Sequence, residues 1–158
     1  MPAHTRTAEP TPPASPAIAL VVSQYNRHIT EALERGAIEA IERLAPDAEV
    51  TVVPVPGAWE LIAGASAAAE TGAHAVVCLG CVIKGETEHD LFINQAVSNT
   101  LGALSAELPV GFGLLTVSNA EQAEARAGGA MGNKGAEAVE AVLATLGVID
   151  ALFTLADA

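Results

Sequence analysis

The sequence predicts an α/β protein: one four-stranded parallel sheet sandwiched between two layers of helices. Three observations predict it. Four apolar runs of strand length recur along the chain, at 17–22, 49–55, 75–83 and 110–117. A segment of helical period follows each of them. Hydrophobic residues make up 51% of the 158 positions, enough for one domain with a substantial core.

The order of elements follows from these patterns. Residues 1–16 hold five of the nine prolines and no apolar stretch, which reads as a flexible tail and not as a secretory signal. A single domain is expected over 17–158. The first strand is followed by Ile29, Leu33, Ala37, Ile41 and Leu44 on one helical face, with Glu31–Arg35 and Glu39–Arg43 as surface pairs at i,i+4. The second helix is expected from about 59 to 71 and is built almost wholly of small residues. Ile93, Val97, Leu101, Leu104 and Leu108 define the third. Ser118 and Asn119, followed by Glu121 and Gln122 at capping-box spacing, open a short fourth helix near 121–126. Val139, Val142, Leu143 and Leu146 define the last, and Gly147 is its expected end. Strands alternating with helices imply crossover connections and a parallel sheet covered on both faces, a flavodoxin-like sandwich.

Composition narrows the function. Nineteen acidic residues against seven basic ones give a net charge of −12, a surface that repels nucleic acid and anionic membrane. No apolar run is expected to span a membrane. Cys78 and Cys81 form a CxxC, but residues three apart in a strand point to opposite faces, so two buried thiols are expected and not a metal or redox pair. Reduced thiols point to a cytoplasmic protein.

In open parallel sheets ligands bind beyond the carboxyl ends of the strands. There the chain places Ser23-Gln-Tyr-Asn26, Pro56-Gly-Ala-Trp-Glu60 and Lys84-Gly-Glu-Thr-Glu-His89. Two of its five aromatics, Tyr25 and Trp59, fall in these loops and suit a flat heterocycle; capping of the core is the plainer reading of both. His89 is placed to exchange protons, or merely to cap a helix. Gly85-Glu-Thr87 offers backbone donors to an anion, to which Arg126 and Lys134, in glycine-rich stretches, would bring positive charge.

Taken together, Val55-Pro-Gly-Ala-Trp-Glu60, Leu79-Gly-Cys-Val-Ile-Lys-Gly-Glu-Thr-Glu-His89, Phe112-Gly-Leu-Leu-Thr116, and Glu121-Gln-Ala-Glu-Ala-Arg-Ala-Gly-Gly129 with Gly132-Asn-Lys-Gly135 resemble lumazine synthase, in order and with matching spacing from about 17 to 146. The resemblance implies condensation of 5-amino-6-(D-ribitylamino)uracil with 3,4-dihydroxy-2-butanone 4-phosphate to 6,7-dimethyl-8-ribityllumazine, phosphate and water, without metal or organic cofactor. It implies that Tyr25 stacks on the pyrimidine beside Asn26, and that Ala58, Trp59 and Glu60 hold the ribityl chain. Val82 and Ile83 would contact the pyrimidine through their backbone. Glu86, Thr87 and Arg126 would take the phosphate, and His89 would be the acid/base. Phe112 and Lys134 match residues the family supplies from a neighbouring subunit, so homopentamers are implied. The uninterrupted stretch 126–135 matches members whose twelve pentamers close an icosahedral shell. Riboflavin synthase, which consumes the product, is the implied protein partner. Three positions depart from the family pattern: Asp90 replaces a usual aromatic, Ala130 a frequent lysine and Lys84 a commoner arginine.

Two other readings stand beside this one. An archaeal-type riboflavin synthase would turn lumazine alone into riboflavin, though its substrate carries no phosphate for Arg126. A catalytically silent flavin-binding or shell protein would bind without turnover, which the presence of His89 and Arg126 argues against.

Overall fold

The structure, a computed structural model, describes residues 5–11 and 14–157; residues 1–4, 12 and 13 of the expected tail, and Ala158, lie outside them. Four strands, β1 (Ala17–Ser23), β2 (Glu49–Val55), β3 (Ala75–Ile83) and β4 (Val110–Val117), form one sheet in the order β2-β1-β3-β4. All its neighbours are parallel. The helices are α1 (Arg27–Leu44), α2 (Leu61–Glu70), α3 (His89–Leu104), α4 (Ala120–Arg126) and α5 (Lys134–Ala156).

Alternation along the strands divides the core in two. Ile18, Leu20 and Val22 of β1 and Val77 and Leu79 of β3 face α1 and α5, while Ala19, Val21, Val76 and Cys78 face α2 and α3. The two cysteines behave as the strand period requires: Cys78 lies in one cluster, Cys81 in the other, and both are free thiols. Burial pushes Cys78 up to about 12 and Cys81 to about 11. The small residues of α2 also acquire a reason. A Cβ on Gly64 would stand 2.6 Å from Cγ1 of Val21, so α2 lies closer to the sheet than bulky side chains allow.

Several boundaries differ from those expected. α2 begins at Leu61, leaving Trp59 and Glu60 in the preceding turn, and α3 ends at Leu104, although Leu108 still packs on the core. α5 does not stop at Gly147 but runs to Ala156. Gly147 is there for packing: a Cβ on it would stand 2.5 Å from the carbonyl oxygen of Thr11, in the segment before β1. Arg6 of that segment donates to the carbonyl of Leu155 at 3.2 Å. The glycine-rich stretch after α4 is a small antiparallel hairpin of β5 (Ala127–Gly129) and β6 (Gly132–Asn133), with Gly128 and Gly132 at φ of 106° and 77°, where other residues are strained. Glu31 pairs with Arg27 at 2.6 Å, not with Arg35, and Arg43 reaches Glu140 of α5 at 2.8 Å, not Glu39.

One further correction concerns hydropathy. At 23 residues, with mean hydropathy 1.9 over its most apolar 18, α5 is long and apolar enough to cross a membrane by those two measures. Its face bearing Ala138, Val139, Val142, Leu143 and Leu146 is buried in the core against the sheet and α1. That face accounts for part of the composition; 39% of that most apolar stretch is buried, and Leu152 and Phe153 near the end of the helix stand exposed.

Candidate active site

The expected residues gather in two separate depressions, one at the carboxyl ends of β1, β2 and β3 and the other along the length of β4 beside α5. The first, of about 540 Å³, is lined by Tyr25, Asn26, Ala58, Trp59, Glu60, Val82, Ile83, Thr87 and His89, together with Asp90 and Ile93. The second, of about 560 Å³, is lined by Phe112, Arg126 and Lys134, with Glu137, Ala138 and Ala141. Glu86 is exposed in the turn before α3 and lines neither. One chain therefore does not bring Arg126 to the Gly85–Thr87 turn; it groups Arg126 with Phe112 and Lys134.

Strand register explains why the first depression exists. The β1–β3 ladder stops at Val22 and Leu79, whereas β3 runs on beside β4 to Ile83 and Val117. On the β1 side, the backbone of β3 from Gly80 to Ile83 therefore has no strand neighbour. Asn26 fills part of that gap. It begins α1 in the left-handed conformation, φ 55° and ψ 47°, which asparagine tolerates better than most residues. Its side chain makes no cap to its own helix; instead Nδ2 donates to the carbonyl of Cys81 at 2.9 Å. The amide thus pins the turn carrying Tyr25 against β3, and Val82 and Ile83 lie just beyond.

The aromatic walls are open. Tyr25 is 71% exposed and Trp59 52%, so neither caps the core, and both line the cavity. Beneath them Ala58 is buried, and a Cβ on Gly57 would stand 3.0 Å from Oε2 of Glu60, which shows how closely that carboxylate folds over its own turn. His89 is the first residue of α3, exposed, with its backbone N–H pointing at Oγ1 of Thr87 at 3.5 Å. Asp90 adds a carboxylate to the first helical turn and to the cavity wall.

In the second depression Phe112 projects from β4 and is 47% exposed despite lying within a strand. Asn119 caps α4 by accepting from the N–H of Gln122, while Oε1 of Gln122 reaches past the cap to accept from the N–H of Ser118, so asparagine and not serine is the cap. At the other end of α4, Nη1 of Arg126 donates to the carbonyl of Gln122 at 3.1 Å, leaving the rest of the guanidinium fork for a ligand. Lys134 opens α5, its Nζ 2.6 Å from Oε2 of Glu137. Sequence reasoning gave Asn133 and Glu137 no role, and named Gln122 only for its capping-box spacing.

This is an α/β protein with an aromatic, polar cavity at its strand ends, a class defined by fold and site together. Residues 15–150 match the family model described as 6,7-dimethyl-8-ribityllumazine synthase. The protein of that name from Salinibacter ruber is 50% identical over 114 residues, 70% of this chain and 73% of its own. The 6,7-dimethyl-8-ribityllumazine synthase 1 of Caulobacter vibrioides is 48% identical over 121 residues, 74% of this chain and 79% of its own. The chloroplastic enzyme of Spinacia oleracea is 44% identical over 114 residues, 70% of this chain and 51% of its own. The chain belongs to the 6,7-dimethyl-8-ribityllumazine synthase family.

Proposed function

We propose that the protein makes 6,7-dimethyl-8-ribityllumazine from 5-amino-6-(D-ribitylamino)uracil and 3,4-dihydroxy-2-butanone 4-phosphate, in a site that two copies of the chain complete. The carrying observation is the one cavity that gathers Tyr25, Trp59, Glu60, Thr87 and His89, each at the position the family motif gives it. Tyr25 stacks on the pyrimidine, with Asn26 beside it. The backbone of Val82 and Ile83, free of a strand neighbour on its β1 side, reads the edge of the ring. Ala58, Trp59 and Glu60 receive the ribityl chain, the Glu60 carboxylate accepting from its hydroxyls.

Thr87 and Glu86 form the turn that takes the phosphate through backbone donors. His89, one turn-length away, moves protons between the condensing amine, the carbonyl and the leaving phosphate. Holding the two substrates together supplies most of the acceleration, since well-oriented partners save roughly 7–11 kcal/mol of barrier. Arg126 goes with Phe112 and Lys134 as the contribution of the neighbouring copy, because these three line one depression and His89 another. Head-to-tail sharing of this kind closes a ring. The pentamer is the assembly we propose, with an icosahedral shell of twelve as its extension, riboflavin synthase as candidate protein partner and the cytoplasm as location.

Mixing the two substrates with the protein and following product fluorescence tests the reaction. Absence of product from both substrates at millimolar concentration would refute it. Light scattering at physiological salt tests the assembly, and an active monomer would refute the shared site.

A further inference from the structure

Within Gly132-Asn-Lys-Gly135 only Lys134 has a place in the proposed site, yet its neighbour is the most thoroughly bonded side chain in the region. The structure assigns Asn133 a positioning role: it ties the start of α5 to α1 and so fixes where Lys134 stands over the cavity.

Oδ1 of Asn133 accepts from the N–H of Gly135 at 2.9 Å and of Ala136 at 3.1 Å. Nδ2 donates to the carbonyl of Ala32 in α1 at 2.8 Å, across 101 positions of sequence. Two glycines make this approach possible. A Cβ on Gly36 would overlap the Asn133 carboxamide, with Oδ1 only 2.5 Å away, and a Cβ on Gly135 would overlap the carbonyl oxygen of Leu33. Leu33 itself is fully buried, so the anchor is the rigid core. Lys134 therefore sits between two residues that are both held against α1, and it lines the depression with Phe112 and Arg126.

An ordinary helix cap does not explain this arrangement. Asp and Ser cap about as well as Asn, because capping needs only an oxygen acceptor. Ionised Asp has no donor, and Ser must accept and donate at one and the same oxygen, close to the backbone; Asn accepts through Oδ1 and donates through a separate Nδ2 that reaches α1. The donor half of the carboxamide is the tether.

The inference rests on the proposed role of Lys134, and the experiment separates the two. N133D keeps the cap and removes the donor to Ala32, and N133S keeps the cap but draws its only donor back to the capping oxygen, short of the Ala32 carbonyl that Nδ2 reaches. They should raise the same KM that K134A raises, by about two- to tenfold, the worth of one net hydrogen bond. Saturated kcat should stay within about twofold, and thermal stability should fall by no more than a few degrees. Adding N133D to K134A should cost nothing further, because coupled residues lose their effect once. Additive losses, or unchanged KM values in both N133D and N133S while K134A is impaired, would overturn the tether. A K134A protein with wild-type constants would overturn the role of Lys134 and the tether with it.

Discussion

Replacing Gly36 by alanine sets two effects of opposite sign against each other. Gly36 is buried in the middle of α1, where alanine ordinarily favours the helix by about 1 kcal/mol. Here the new methyl would land on the Asn133 carboxamide. The carboxamide must retreat by about an ångström, beyond hydrogen-bonding range of the Ala32 carbonyl and out of line with the first N–H groups of α5. Losing that bond costs about 0.5–1.5 kcal/mol and losing the cap about 0.5–2 kcal/mol, with overpacking added where the side chain cannot clear. The clash wins. G36A should destabilise the protein by about 1–3 kcal/mol, which for a chain of this size lowers Tm by roughly 3–10 °C. The control is the same change in an N133A background. With the carboxamide gone the methyl has room, and G36A should there become stabilising. Calorimetry on all four proteins, at matched assembly state, decides it. A rise in Tm for G36A alone, or an equal loss in the N133A background, would refute the reasoning.

Other outcomes follow from the same geometry. R126A should weaken the phosphate-bearing substrate by roughly 1.5–3 kcal/mol, the range of a charge-assisted contact, and leave the uncharged pyrimidine nearly unaffected; steady-state titration of each substrate checks this, and equal losses for both would sink the assignment. H89A should slow turnover about 10²–10⁴-fold yet leave measurable product, because positioning survives the loss of the proton carrier; complete inactivation with assembly and binding intact would give the proton transfer more weight than we do. For the cysteines, the thiols ionise near 9.0 when unfolded but only at about 12 and about 11 when folded. Below pH 9 both states are protonated and stability is untouched; as pH climbs from 9 through 11 only the unfolded chain gains the charge, so stability falls. Denaturant midpoints at pH 8 and pH 10.5 should show that slope, and a C78A/C81A protein should show less of it.

Much of the fold was legible because burial imposes period. The four strands were readable as apolar runs bounded by turn residues, and α1 and α3 from their spacing of three and four. Glycine was the recurrent source of error. Gly147 reads as a helix end, yet it lies under the Thr11 backbone with the helix continuing, and the glycines of 128–132 make a hairpin that no apolar pattern announces. Sequence gives the conformational freedom of glycine but not which neighbour requires its missing Cβ. The expected pairs Glu31–Arg35 and Glu39–Arg43 were misread for a related reason: more than one opposite charge lies within reach, Glu31 takes Arg27, and the partner of Arg43 lies on another helix. Within the site, the strand-end rule located Tyr25, Trp59 and His89 from the residues alone. That Arg126 falls with Phe112 and Lys134 could not be read, since it depends on how α4 and the start of α5 pack against β4.

Trp59 is the only tryptophan in the chain, and it stands half exposed on the cavity wall. Excited at the red edge of its absorption, the protein therefore has a single emitter, placed at the point where the proposed substrates enter. A ligand arriving there changes the polarity around the indole and quenches or shifts its light without any label. Unfolding elsewhere that spares the cavity leaves the emission unchanged. The molecule thus carries its own optical probe, one that separates variants damaged in the pocket from those damaged in the scaffold before any substrate is turned over.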